Sequence, residues 1–180
     1  MNYVFLANGF EEIEAVSTID ILRRADIDTT VVSIEPQLAV IGAHNIVIVA
    51  DKLFSEASLA DAETLILPGG MPGTSNLNKH EGLKQALKAH AAKGKLIGAI
   101  CAAPLILGEL QLLQGKQATC YPSFEPHLHG ATLSNDKVVD AGEIVTGKGP
   151  GFGMDFALAL VKKIKGEDTA TEVAKGLLLQ

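Results

Sequence analysis

A chain of 180 residues, 47% hydrophobic and 20% charged, is long enough to bury the core of one ordinary domain and too apolar to be disordered. Only 4% of the residues are aromatic, so the core is expected to be aliphatic. The formal charge of −6 leaves no broad basic footprint for nucleic acid. No apolar run approaches the roughly 20 residues that span a bilayer.

The first apolar stretch, Tyr3 to Ala7, is too short for a signal-peptide core, lacks a basic flank, and reads as a strand over Val4–Ala7. Ile13, Val16, Ile19 and Leu22 recur every three residues and predict one face of a helix. A second strand is expected at Thr29–Ile34. Val40–Ile41 and Ile46–Val49 flank Gly42-Ala43-His44-Asn45 as a small hairpin. Thr64–Leu67 is another strand and ends in Pro68-Gly69-Gly70. A helix is predicted from about Asn76 to Ala92, stopped by Gly94. Lys95–Ile100 is a strand running into Cys101, and Ala102–Leu110 is helical. Ala118–Cys120 and Ile144–Thr146 are later strands. Phe156, Leu160 and Ile164 mark one more helix, and Thr171–Leu178 a last one.

No repeat or linker interrupts this alternation, so residues 1–180 form one domain with a mostly parallel sheet between helices. In such sheets ligands gather beyond the carboxyl ends of the strands. Three loops follow strand ends: Asn8-Gly9-Phe10-Glu11, Pro68-Gly69-Gly70 and Cys101-Ala102-Ala103. The two cysteines, Cys101 and Cys120, form no CxxC pair and no disulfide framework, which points to a reducing, cytoplasmic setting.

Cys101 carries the strongest signal. Small residues two before it (Ala99) and two after it (Ala103) leave room for a sharp strand-to-helix turn, the pattern of a nucleophile elbow. Pro104 suits the first turn of the following helix. The positive end of that helix is expected to lower the thiol pKa. The competing reading is a buried cysteine acting as a small hydrophobe. Glu11, Glu12 and Glu14 open the first helix. Acidic residues there favour the helix dipole, but a carboxyl beside a thiolate would also be held protonated and able to shuttle a proton. The glycines after Pro68 either make a tight loop or aim a backbone N–H at an oxyanion. Gly147-Lys148-Gly149-Pro150-Gly151 matches no phosphate-loop pattern and reads as a structural turn. His80 and His90 fall on a polar helix and are expected to be solvated. His127 and His129, near Cys120, are too few for a metal site, so neither a metal nor another cofactor is expected.

Taken together, these residues resemble the ThiJ/PfpI family, in its Parkinson disease protein 7 branch, over roughly Tyr3 to Leu178. The resemblance rests on Gly9-Phe10-Glu11-Glu12-Ile13-Glu14, Leu67-Pro68-Gly69-Gly70, Ala99-Ile100-Cys101-Ala102-Ala103-Pro104, and Lys148-Gly149-Pro150-Gly151 followed by Phe156-Ala157-Leu158. It implies a flavodoxin-like three-layer sandwich, a homodimer, Cys101 as nucleophile, Glu14 as its carboxyl partner, and the N–H groups of Gly70 and Ala102 as oxyanion donors. It further implies a small dicarbonyl or glyoxal-adduct substrate with no cofactor, or a redox-sensing or chaperone role through Cys101. The family's anion-binding arginine matches Arg24. His44 stands where its companion is expected, and Tyr121 where better-known members have a histidine beside the nucleophile.

Overall fold

The computed structural model describes residues 1–179. In chain order the elements are β1 (Asn2–Leu6), α1 (Glu12–Arg24), β2 (Thr29–Ser33), β3 (Ala39–Ile41), β4 (Val47–Val49), β5 (Lys52–Leu53) and β6 (Thr64–Leu67). There follow α2 (Gly73–Lys79), α3 (Glu81–Ala92), β7 (Leu96–Ile100), α4 (Pro104–Glu109), β8 (Gln117–Ala118) and β9 (Thr132–Leu133). The chain ends with β10 (Val138–Asp140), β11 (Ile144–Gly147), α5 (Gly153–Lys165) and α6 (Glu167–Gly176). One seven-stranded sheet runs β10-β11-β7-β6-β1-β2-β5, parallel except for β10. β3 and β4 pair as the expected antiparallel hairpin. Among the described residues no helix is long and apolar enough to cross a membrane.

The central strands β1, β2, β6 and β11 are buried at every position because both sheet faces are covered. Along β1, Tyr3 and Phe5 point into one core with Leu77 of α2, Leu83 and Leu87 of α3, and Ile106 and Leu107 of α4. Val4 and Leu6 point into the other, with Ile21 and Leu22 of α1 and Phe156 and Leu160 of α5. The three-layer sandwich follows from this alternation of side chains across the pleat.

Three local readings change. The start of the α1 stripe faces outward, with Ile13 58% and Val16 49% exposed, while Ile19 is half-buried against the core. The buried face is Glu14, Ala15, Thr18, Ile21 and Leu22, which packs along α5. The single helix predicted to end at Ala92 is two. α2 stops at Lys79, and His80 takes an extended conformation and caps α3 by accepting the Leu83 N–H at 3.0 Å. Its ring meets Phe54 edge-on, with centroids 4.4 Å apart. His90 is likewise not solvated: it is buried, and its Nε2 lies 3.1 Å from the Leu96 carbonyl oxygen, tying α3 to β7.

An N-cap contributes about 1 kcal/mol. His80→Ala should therefore lower the unfolding free energy by at least that much in urea titration, and His80→Asn, which keeps an acceptor, by less.

Candidate active site

β1, β6 and β7 all end on the same side of the sheet, and the loops that follow them converge. After β7 the chain reverses at Cys101, whose φ of +64° lies in the left-handed region that non-glycine residues rarely enter. Its own N–H donates to the Gly147 carbonyl at 2.9 Å, and its carbonyl accepts the Tyr121 N–H at 2.8 Å. The elbow is thus fastened on both sides, and Pro104 opens α4 directly after it.

The loop after β6 closes over this turn. A Cβ on Gly69 would lie 2.6 Å from the Cys101 Cβ and 2.9 Å from Glu14 Oε2, so only glycine permits the approach. Gly70, at φ +90°, then turns its N–H toward the Cys101 sulfur, as does Ala102 from the elbow itself. From the third side α1 supplies Glu14, which is fully buried. Its Oε2 accepts the Gly69 N–H at 2.8 Å, and its Oε1 has no nitrogen or oxygen partner. The carboxyl's remaining polar neighbour is the Cys101 thiol. Cys101, Glu14, Gly70 and Ala102 therefore meet in one place.

The electrostatics depart from expectation. Burial raises the Cys101 pKa, and the Glu14 charge raises it further. The N–H groups of Gly70 and Ala102 oppose both, but they do not win while Glu14 is ionised. Glu14 is itself pushed up to about 7, chiefly by burial. α4 has only six residues, and Cys101 lies three residues before it. The dipole of so short a helix does not offset the desolvation. The two groups titrate as a pair: near neutral pH the site holds one proton and one negative charge. The proton can sit on carboxyl or sulfur, and two adjacent anions are excluded.

The other expected residues are placed differently. Arg24 lies at the far end of α1, about 15 Å along the axis from Glu14 at 1.5 Å per residue. Its Nε donates to Asp20 at 2.6 Å, so within one chain it does not reach Cys101. His44 binds Glu12: the Nδ1 to Oε2 distance is 2.8 Å, and the His44 backbone N–H donates to Oε1 at 2.6 Å. That hydrogen bond, then the charges of Glu11 and Glu12, raise the His44 pKa. Glu11, Glu12 and His44 bring three ligand-type atoms within 4.8 Å of one another, a grouping that lies apart from His127 and His129. Its visible work is to clasp the β3–β4 hairpin to the start of α1. Tyr121 is 46% exposed, with its ring against Gly149. Cys101 and Cys120 pack into different clusters.

The sequence pattern of the DJ-1/PfpI family matches residues 2–163. Protein DJ-1 homolog B of Arabidopsis thaliana is 41% identical over 177 residues, covering 97% of this chain and 40% of the plant protein. The chain thus spans less than half the length of that relative. A Caenorhabditis elegans protein named glutathione-independent glyoxalase DJR-1.2 is 32% identical, covering 94% of this chain and 90% of its own. The oxidized DJ-1 structure of Toxoplasma gondii superposes with a TM-score of 0.94 at 38% identity, covering 98% of this chain and 96% of the other.

The shared proton sets a titration. Alkylation of Cys101 by iodoacetamide should rise with pH to a plateau with its midpoint near 7, the value to which Glu14 is raised. That is below the ordinary thiol pKa of about 8.5. Glu14→Leu leaves the thiol buried with no group to take its proton, so the midpoint should move up by more than about one pH unit. An unchanged midpoint would dissolve the pair.

Proposed function

This chain belongs to the DJ-1/PfpI family, and from that premise we propose that it converts small dicarbonyls such as methylglyoxal to 2-hydroxy acids without a cofactor. The observation that carries the reading is the buried Glu14 carboxyl, raised to about 7, against the Cys101 thiol inside two backbone N–H groups. Such a set can do both nucleophilic addition and proton transfer at neutral pH. The relative named as a glutathione-independent glyoxalase supports the same chemistry.

Cys101, its proton passed to Glu14, adds to the aldehyde carbon, and the oxyanion takes up a proton to give a hemithioacetal. The Gly70 and Ala102 N–H groups stabilise that oxyanion as it forms. Glu14 as carboxylate removes the proton from the former aldehyde carbon. The resulting enediol is reprotonated on the neighbouring carbon, leaving a thioester of the hydroxy acid. Water cleaves the thioester, releasing lactate and the thiol, so methylglyoxal plus water gives lactate with no net oxidation. Tyr121, at the exposed rim, takes no proton in this scheme. In an early hemiaminal adduct the Cys101 thiolate would instead displace the amine at the former aldehyde carbon, the C–S bond forming as the C–N bond breaks and Glu14 giving its proton to the departing amine, and the hemithioacetal would then follow the same course.

The runner-up is a redox sensor in which Cys101 is oxidised to the sulfinate and Glu14, protonated, donates a hydrogen bond to it. Turnover separates the two. Lactate should accumulate many-fold beyond the enzyme concentration, and Cys101→Ala should lower the rate by at least about 100-fold. Product that stops at one equivalent leaves the sensor.

The reading includes a cytoplasmic homodimer. Ile13 and Met154, exposed on α1 and α5, border a groove of about 610 Å³, and Val16 is exposed one turn further along α1; together they form an apolar face suited to a second copy. Wild type should sediment as a dimer at micromolar concentration, and Ile13→Glu with Val16→Glu as a monomer. A wild-type monomer refutes this part alone.

A further inference from the structure

Glu11 takes no part in the chemistry assigned to Cys101 and Glu14, yet it lies between that chemistry and the β3–β4 hairpin. Its N–H donates to the Gly69 carbonyl at 2.9 Å, and a Cβ on Gly70 would collide with its backbone nitrogen. Its main chain therefore rests against the loop that carries both the Glu14 donor and one of the N–H groups facing Cys101. Its side chain is only 12% exposed and makes an ionic contact with His44 Nδ1 at 3.8 Å.

The hairpin presses its turn onto the same place. The Gly9 N–H donates to the Ile41 carbonyl at 2.7 Å, and the Ala43 N–H to the Phe10 carbonyl at 2.8 Å. These bonds set His44 over the start of α1, where Glu12 holds its ring at 2.8 Å. His44 is the only ionisable residue of the hairpin, and the loop from Pro68 to Gly73 has none. Glu14 thus faces the Cys101 thiol from the elbow and the Glu11 charge from the N-cap of its own helix, while His44 faces Glu11 and Glu12. α5 brings Asp155 to the groove beside Ile13 and Ser17, on the outer side of α1. Glu11 is the charged link between His44 and Glu14.

We propose that Glu11 and His44 are positioning residues of this site: the Glu11 carboxylate holds the proton on Glu14, and His44, when charged, loosens that hold. The ionisation of the Cys101–Glu14 pair is then set from the hairpin. The inference rests on that pair and deepens the reading above. Its signs follow from Coulomb's law. A negative charge beside Glu14 makes its proton harder to lose, and an imidazolium beyond Glu11 offsets that charge. The Glu12 hydrogen bond, then the Glu11 charge, raise the His44 pKa above its usual 6.5, toward the range in which the pair titrates. His44 and the pair therefore lose protons over the same interval, and each loss makes the other harder. Reactivity rises gradually across neutral pH instead of along a single-site curve.

The test is the iodoacetamide titration of Cys101 in three further variants. His44→Gln keeps a side-chain donor for Glu12 and removes the charge. It should raise the midpoint by at least about 0.3 pH unit, roughly a twofold loss of alkylation rate at pH 6. Glu11→Gln should lower the midpoint by as much. His44→Lys, charged throughout, should keep the midpoint at or below the wild-type value and steepen a shallow wild-type curve to a single-site slope. Opposite signs separate this role from a structural one, because loosening the hairpin would admit water to Glu14 and lower its pKa in every variant. Shifts of the same sign, no shifts while the wild type keeps its midpoint near 7, or a wild-type curve no shallower than that of His44→Lys overturns this inference alone. A wild type with no midpoint near 7 overturns it together with the pair.

Discussion

The arrangement at the end of β7 depends on one buried carboxyl. Glu14 is fully buried and accepts from a single backbone donor, the Gly69 N–H at 2.8 Å. A carboxylate so poorly solvated is unfavourable, and that is why its pKa climbs to about 7 instead of staying in the acidic range. Everything nearby serves this contact. Gly69 has no side chain because a Cβ would collide with both partners. The Glu11 N–H donates to the Gly69 carbonyl at 2.9 Å, which locks the start of α1 to the loop whose N–H binds Glu14. The Glu12–His44 clasp then fixes the hairpin to the same turn of helix. Carboxyl, glycine loop and elbow form one unit whose parts have no other reason to be so close.

That unit turns an apparent liability into chemistry. Taken alone, Cys101 is a poor nucleophile: buried, its pKa raised, and facing a potential negative charge. Taken as a pair, the same burial forces one proton to serve two groups. The proton can leave the sulfur without leaving the site. The thiolate that results is stabilised by two N–H groups and faces a neutral carboxylic acid. The helix-terminus argument from sequence invoked a stabilisation of the thiolate that burial outweighs.

Much of this was legible in the residues. The elbow could be read because small side chains flank Cys101 after an apolar strand, and the strained φ of +64° is what that spacing permits. The sheet could be read from apolar runs punctuated by glycine and proline. The direction of the α1 stripe could not. Hydrophobic period alone does not say whether a stripe meets its own core or another surface, and here the inward face contains Glu14 and Thr18. The break at His80 was hidden because a histidine cap looks like a solvated histidine until its ring is seen against Phe54. Arg24 pairs with Asp20 at the far end of α1, so within one chain the resemblance alone connects it to Cys101.

The site also sets a direction for stability. Unfolded, Glu14 titrates near 4.5; folded, it titrates near 7, so the native state holds a proton that the unfolded chain has released. A raised carboxyl pKa contributes fully below about pH 4.5, and its contribution is lost as pH rises toward 7, on the order of 3 kcal/mol in all. His90 acts oppositely: burial lowers its pKa, so the folded state resists protonation and stability falls as pH drops below about 6.5. The two effects oppose each other below about pH 6.5, one at the cysteine end of the sheet and one at the α3–β7 contact. At neutral pH and above, where the pair is ionised and ready to react, Glu14 lowers stability. The apolar layers on both faces of the sheet hold the carboxyl in place there, and this ties the aliphatic core anticipated from composition to the chemistry proposed at its edge.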